Sequence, residues 1–224
     1  WISRGSTNWR YRPNGTEVPA GWRLSSFTEG AGWETGTAPV GLFKLNNNTS
    51  QALNAETNVA LGTQLTGAVT GIVPPAAAAS DMAVFVDAAL GRDTNFTINY
   101  RSVAMRRTVN IGPAVPGAVV LRVLRSDAAI VWINGVEAAR FGFPEGAPAS
   151  PLFNTTAIYE HSNDPWSEVV LTNAASLLVP GDNQIAIEGW VKGPRLRSSQ
   201  EEVAQYNVFD FALDLELAPI VNVY

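Results

Sequence analysis

The stretch Phe209-Asp-Phe-Ala-Leu-Asp-Leu-Glu-Leu217 decides the fold class of this chain. Large apolar residues alternate along it with acidic residues and one alanine, which is the period-two pattern of a strand with one buried and one solvated face. A helix would scatter the carboxylates of Asp210, Asp214 and Glu216 around its axis. We therefore expect a strand here, with these carboxylates on the wet face and Pro219 at its end.

The centre and the rest of the C-terminal half predict further strands. Asn134-Gly135 stands between the apolar runs 129–133 and 136–141, and this dipeptide favours the type I′ turn of a hairpin because both of its residues accept a positive φ. Further strands are expected at 119–124, 167–171 and 184–191. Many short strands joined by turns indicate an all-β sandwich, with residues 1–224 as one domain.

Composition excludes several classes of protein. The chain has 224 residues, no cysteine and a net charge of −5. Without cysteine, disulfides, cysteine zinc sites and thiol catalysis are excluded. A nucleic-acid partner is not predicted, because the sequence has no concentration of basic residues. A membrane-spanning helix needs about 20 apolar residues. The nearest candidate, residues 69–86, is interrupted by Pro74-Pro75 and Asp81, so no membrane span is predicted.

The order of several short segments carries a family resemblance. These segments are Trp9-Arg-Tyr11, Pro19-Ala-Gly-Trp22, Gly32-Trp33-Glu-Thr-Gly36, Ala38-Pro-Val-Gly41, Met105-Arg-Arg-Thr-Val109, Val131-Trp-Ile-Asn-Gly-Val-Glu137, Pro180-Gly-Asp-Asn-Gln-Ile-Ala-Ile-Glu188 and Phe209-Asp-Phe-Ala-Leu-Asp-Leu215. Together they resemble the galactose-binding-domain-like jelly rolls, which occur as accessory modules in large bacterial secreted and surface proteins. The resemblance covers residues 1–43 and 101–217, and residues 44–100 read as an insertion.

The resemblance implies a jelly-roll β-sandwich, a carbohydrate-binding or adhesive role, and a secreted or cell-surface location. The chain opens on Trp1, and we expect it to be a mature chain or an excised fragment. Some relatives bind a structural calcium through loop oxygens. Here Thr28-Glu29 and Ser126-Asp127-Ala128 stand where such modules carry additional Asp residues, which weakens that expectation. The loop candidates for calcium are Asp127, Asp164 and Asp182.

Two tryptophans are candidates for sugar contacts. An aromatic ring covers the C–H face of a pyranose while nearby polar groups fix its orientation. Trp166 follows the polar residues His161, Asn163 and Asp164, and Trp190 precedes Arg195. The alternative interpretation of each tryptophan is a packing role, and His161 is also readable as a solvated loop residue.

Enzyme function has the least support from the sequence. His161 is the single histidine and has no evident catalytic partner, and the chain lacks a convergent set of titratable residues. We expect a non-catalytic module that binds a glycan. The alternative is a structural subunit of a surface fibre, a sheath or another viral or extracellular assembly. Such a subunit would contact its neighbours, including other copies of itself, through residues 59–90 and the tail 218–224.

Overall fold

The structure is a computed structural model. It describes residues 1–14, 17–42, 62–64, 69–72, 96–98, 102–125, 128–143, 166–190 and 211–220.

One layer of the fold is a six-stranded antiparallel sheet. Its strands, in spatial order, are β10 (Val136–Phe141), β9 (Ala128–Ile133), β12 (Asp182–Trp190), β7 (Ser102–Asn110), β1 (Trp9–Asn14) and β2 (Glu34–Gly36). The two long central strands β12 and β7 pair along their whole length, from Asp182 opposite Asn110 to Trp190 opposite Ser102.

The second layer is a five-stranded sheet. Its order is β11 (Trp166–Leu171), β8 (Val119–Arg125), β13 (Phe211–Pro219), β3 (Val40–Leu42) and β4 (Thr63–Gln64). All its pairings are antiparallel except that of β3 with β4. A separate two-stranded ribbon joins β5 (Val69–Ile72) to β6 (Phe96–Ile98), and one short helix, α1 (Ala174–Leu177), precedes β12.

The hydrophobic core lies between the two large sheets. The six-stranded sheet contributes alternate residues such as Met105, Val131 and Ile187, and the five-stranded sheet contributes Leu121 and its neighbours on β8 and β13. Leu213, Leu215 and Leu217 are among the buried core residues, as the alternation along this stretch predicts. The fold is an all-β sandwich, which confirms the predicted fold class.

The predicted hairpin is present between β9 and β10. Asn134 has φ of 52° and Gly135 of 84°, as a type I′ turn requires. The Asn134 amide also donates to the carbonyl of Leu177 and to Oδ1 of Asn183 at 2.9 and 2.8 Å, so the turn is fixed to the start of β12. At the other end of the chain, β13 ends at Pro219, as expected.

The span 44–100, predicted as an insertion, supplies short strands where the structure describes it. β4 lies at one edge of the five-stranded sheet, and β5 and β6 form the separate ribbon. Apart from Gly62, its other residues lie outside the described ones, as do residues 221–224 of the tail. Within the described part of the chain, no helix is long and apolar enough to cross a membrane.

The N-terminal segment 17–33 lies over the outer face of the six-stranded sheet. Trp22 and Trp33 of this segment pack with Trp132 and Trp190 of the sheet in a second apolar cluster, together with Ala104, Ala128, Ile130 and Ala186. Trp22 meets Trp132 edge to face at a centroid distance of 5.7 Å. The outer face of the six-stranded sheet is therefore largely closed, and the outer face of the five-stranded sheet is the other broad surface of the sandwich.

Candidate ligand-binding site

Trp166 lies at the start of β11, the terminal strand of the five-stranded sheet. It stands opposite Leu124 of β8, which in turn stands opposite Asp214 of β13. Directly opposed residues of antiparallel strands project from the same face, so these residues form a row across the outer face. The Trp166 side chain is half-buried, and the guanidinium of Arg4 lies over its ring at 4.3 Å from the centroid.

The next row on this face is a ladder of charged side chains. Glu168, Arg122 and Glu216 are directly opposed on β11, β8 and β13. Arg122 donates from Nε to Glu168 at 2.6 Å and from Nη1 to Glu216 at 2.7 Å. Arg4 donates from Nε to the second oxygen of Glu216 at 2.8 Å. The ladder thus connects the cation that covers Trp166 to the edge strand that carries Trp166.

The pairing shifts the acid–base behaviour of the ladder. The hydrogen bond to Glu168 is the largest influence on Arg122 and raises its pKa. Partial burial alone would raise the pKa of Glu216, but the hydrogen bond from Arg4 and the charge of Arg122 outweigh it, and the pKa is lowered. Arg122 and Glu216 therefore stay charged near neutral pH and can hydrogen-bond to sugar hydroxyls as a fixed donor and a fixed acceptor.

Asp214 corrects one sequence expectation. It was expected on a wet face, and it does project from the outer face, but its side chain is fully buried. The turn at Arg4 and Gly5 lies against it, and the Gly5 N–H donates to Asp214 Oδ2 at 2.8 Å. Burial raises the pKa of Asp214 to about 6, although the N–H groups of Gly5 and Leu215 favour the charged form.

The arrangement combines a partly exposed indole with fixed charges on a broad sheet surface. Such a surface can place a ring against the C–H groups of a sugar and satisfy its hydroxyls alongside. Arg4 and Arg122 were not singled out by the sequence. The one signal for Arg122 was its position in the alternating run of β8, which places it on the face opposite the core.

Trp190, the other predicted sugar contact, is fully buried. Its ring packs edge to face against Phe143 at 5.2 Å, within the apolar cluster on the outer face of the six-stranded sheet. A sugar needs an accessible ring face, so this packing favours the structural interpretation. Ligand binding by Trp190 stays an untested prediction.

The remaining predicted site residues are mostly beyond what the structure describes. His161, Asn163, Asp164, Arg195 and Asp127 lie outside the described residues. Asp182, the remaining calcium candidate, is exposed at the start of β12 and accepts a hydrogen bond from the Asn110 amide at 2.6 Å. Among the residues that are described, no three His, Cys, Asp or Glu side chains form a group that would hold a metal. Calcium binding remains untested.

No protein-family model matches this chain, and no curated protein matches it. Distantly similar solved structures include a glycosyl hydrolase family 2 member from Bacteroides cellulosilyticus, which has a TM-score of 0.47 and 12% identity over 97% of this chain and 20% of that one. A beta-glycosidase from Bacteroides vulgatus has a TM-score of 0.42 and 13% identity over 96% of this chain and 20% of that one. An FMN-binding beta-glucuronidase from Facaelibacterium prausnitzii has a TM-score of 0.39 and 16% identity over 97% of this chain and 22% of that one.

The chain spans about a fifth of the length of these enzymes. At such TM-scores the likeness is too distant for any of their activities to be transferred to this chain.

Proposed function

We propose that this chain is a non-catalytic extracellular β-sandwich module that binds carbohydrate through the outer face of its five-stranded sheet. The observation that carries the proposal is Trp166. Its half-buried indole stands on a broad sheet face, beside a ladder of charges that are held in place by one another. The resemblance of the sequence to galactose-binding-domain-like jelly rolls supports the same class of ligand and the location outside the cell.

The non-catalytic part of the proposal rests on how the carboxylates of this face are used. Glu168 and Glu216 accept hydrogen bonds from arginines, and Asp214 is held under the N-terminal turn. Glycoside hydrolysis needs one carboxyl group held as an acid and another acting as base or nucleophile on either side of the bond to be broken. Carboxylates engaged in a ladder suit binding rather than this chemistry.

The test is a glycan array, followed by titration calorimetry with the best glycan. We expect Trp166→Ala to weaken binding about tenfold, since a lost aromatic contact of about 1.4 kcal/mol corresponds to that factor. The matched control is Val170→Ala, because Val170 lies on the same face of the same strand, opposite Val120 at the other end of β11. We expect this control to bind as the unmodified chain does.

Two results would overturn the proposal. If the unmodified chain binds none of the neutral and acidic glycans on the array, the module is not a carbohydrate binder. If both variants bind as tightly as the unmodified chain, the ligand does not lie on this face.

A structural role in an assembly is the second candidate. Val170, on the terminal strand β11, is 46% exposed, and Ile220, just after β13, is 38% exposed. An exposed apolar residue on an edge strand, such as Val170, favours contact with a neighbouring subunit, and Ile220 adds exposed apolar surface. Light scattering over a dilution series tests it: the assembly role predicts oligomers, whereas a monomer at every concentration contradicts it.

A further inference from the structure

A polar cleft of about 270 Å³ opens on the outer face of the six-stranded sheet, on the opposite side of the sandwich from Trp166. Arg10 of β1 and Arg106 of β7 are directly opposed and both line it. Glu29, from the segment that covers this sheet, lies between them. Ligand pockets for drug-sized molecules are about 300–1,000 Å³, so this cleft matches an occupant no larger than a single sugar unit.

The two guanidinium groups share one carboxylate. Arg10 Nε donates to Glu29 Oε2 at 2.5 Å, and Arg106 Nε lies 3.6 Å from Glu29 Oε1. Arg107 also lines the cleft, and its guanidinium donates to the Thr7 carbonyl at 3.0 Å. The cationic groups that line the cleft therefore exceed the anionic ones, in a chain whose net charge is −5.

Arg106, which lines this cleft, is almost fully buried and is held by hydrogen bonds. Its side chain is 5% exposed, and it donates from Nη2 to the Leu24 carbonyl at 3.0 Å and to Gln184 Oε1 at 2.8 Å. Burial lowers the pKa of Arg106; the charge of Glu29 opposes this effect, and that of Arg10 adds to it. Positive charge that is fixed, partly desolvated and only partly neutralised attracts an anion.

We infer that this arginine cleft is a second binding site, which takes the carboxylate of a uronic acid unit. The inference rests on the proposed function for the sugar class and on the cleft for the acidic group. Polar groups of Asn8, Thr108 and Gln184 also line the cleft and match the hydroxyls of such a sugar. Arginine is suited to carboxylates because its planar group presents several parallel donors.

The same contacts also fasten the segment 17–33 to the sheet, so the test must separate fastening from binding. Glu29→Gln does this because it preserves the shape of the side chain and removes the negative charge that competes with a bound anion. If the cleft binds uronate, this variant binds it more tightly. If the residues only fasten the segment, the variant gains no affinity.

The experiment is an NMR titration of the full chain at low salt with glucuronate, glucose or acetate. Two unit charges about 5 Å apart in water interact strongly enough to change an affinity about fourfold. Because Glu29→Gln removes one negative charge that repels the bound carboxylate, we expect this variant to bind glucuronate about fourfold more tightly. Arg10→Gln should bind it about fourfold more weakly. Glu137→Gln is the matched control, since Glu137 pairs with Arg140 at 2.8 Å elsewhere on the same sheet, and its affinity should not change.

Added salt should shrink these differences because it screens charges at a partly exposed site. The inference is overturned if Glu29→Gln and the unmodified chain bind glucuronate equally. It is also overturned if glucose or acetate binds as tightly as glucuronate, since the cleft would then not recognise an acidic sugar. Trp166→Ala should leave glucuronate binding in the cleft unchanged, so failure of this inference is distinguishable from failure of the proposed function.

Discussion

The two outer faces of this sandwich are built from the same kind of strand and have different surroundings. The six-stranded sheet is covered by the segment 17–33, whose Trp22 and Trp33 pack on Trp132 and Trp190. The five-stranded sheet carries the charge ladder through Glu168, Arg122 and Glu216 on its outer face. The outer face of the six-stranded sheet is therefore largely covered, while that of the five-stranded sheet presents polar side chains to solvent.

The difference explains why the strands of the two sheets have different compositions. All the residues of β9, Ala128–Ile133, are buried, and a strand buried on both faces becomes a continuous apolar run. On β8, Val119–Arg125, the residues Val120 and Arg122 on the outer face are only partly buried and alternate with buried ones. The covered face contributes mainly to stability and leaves only the arginine cleft open, whereas the partly solvated face leaves side chains available for ligands along its rows.

The largest expected effect concerns the covered face. Trp22 is 2% exposed and lies 6.0 Å from Trp33 and 5.7 Å from Trp132, centroid to centroid. Trp22→Ala should lower the free energy of unfolding by about 3–5 kcal/mol, because it leaves a cavity between the segment and the sheet. Guanidinium unfolding followed by circular dichroism measures this. Trp166→Ala, on the other face, should cost clearly less, and equal losses would contradict the distinction between the two faces.

The sequence could predict the strands that alternate and the turn that needs positive φ. Leu213, Leu215 and Leu217 are in the core, and Asn134-Gly135 forms its hairpin, because both signals are local. It could not predict which outer face is covered. That depends on where the segment 17–33 packs, and no periodicity within a strand encodes the packing of a distant segment.

The burial of Asp214 and of Trp190 shows the same limit. Asp214 was expected to be solvated and is buried because Gly5, 209 positions away in the chain, donates to it. Trp190, for which a sugar contact and a packing role were both open, is buried because Phe143 and the covering cluster pack around it. In both cases the strand position was readable from the sequence, and the environment was created by a remote contact.

A pH-dependent effect is expected at Asp214, under the N-terminal turn. Its folded pKa is raised from 3.8 to about 6, so the folded state binds this proton more tightly than the unfolded state. This proton contributes about 3 kcal/mol to the free energy of unfolding. The contribution is fully present below about pH 3.8 and is lost as the pH rises to about 6. Arg4 and Glu216 are the charged groups that act on it.

Asp214→Asn removes this titration. The free energy of unfolding of the variant, minus that of the unmodified chain, should therefore be larger at pH 7 than at pH 4. Urea unfolding of both proteins at both pH values measures this difference. Comparing the two proteins at each pH cancels groups such as Glu216, whose pKa is lowered and whose contribution has the opposite sign. A difference that does not change with pH would show that Asp214 is not the buried acid of this face.

The smallest effect is expected in the charge ladder itself. Glu168 is 53% exposed and pairs with Arg122, and ion pairs between exposed side chains contribute little because water and salt screen them. Glu168→Gln should leave the denaturation midpoint unchanged within error while weakening glycan binding, because it replaces one acceptor oxygen with a donor and removes the charge that holds Arg122 in place. A glycan titration and a urea melt of the same sample measure both. A large loss of stability would mean that the charge ladder stabilises the sandwich. Both outer faces would then serve stability, which would contradict the distinction between them.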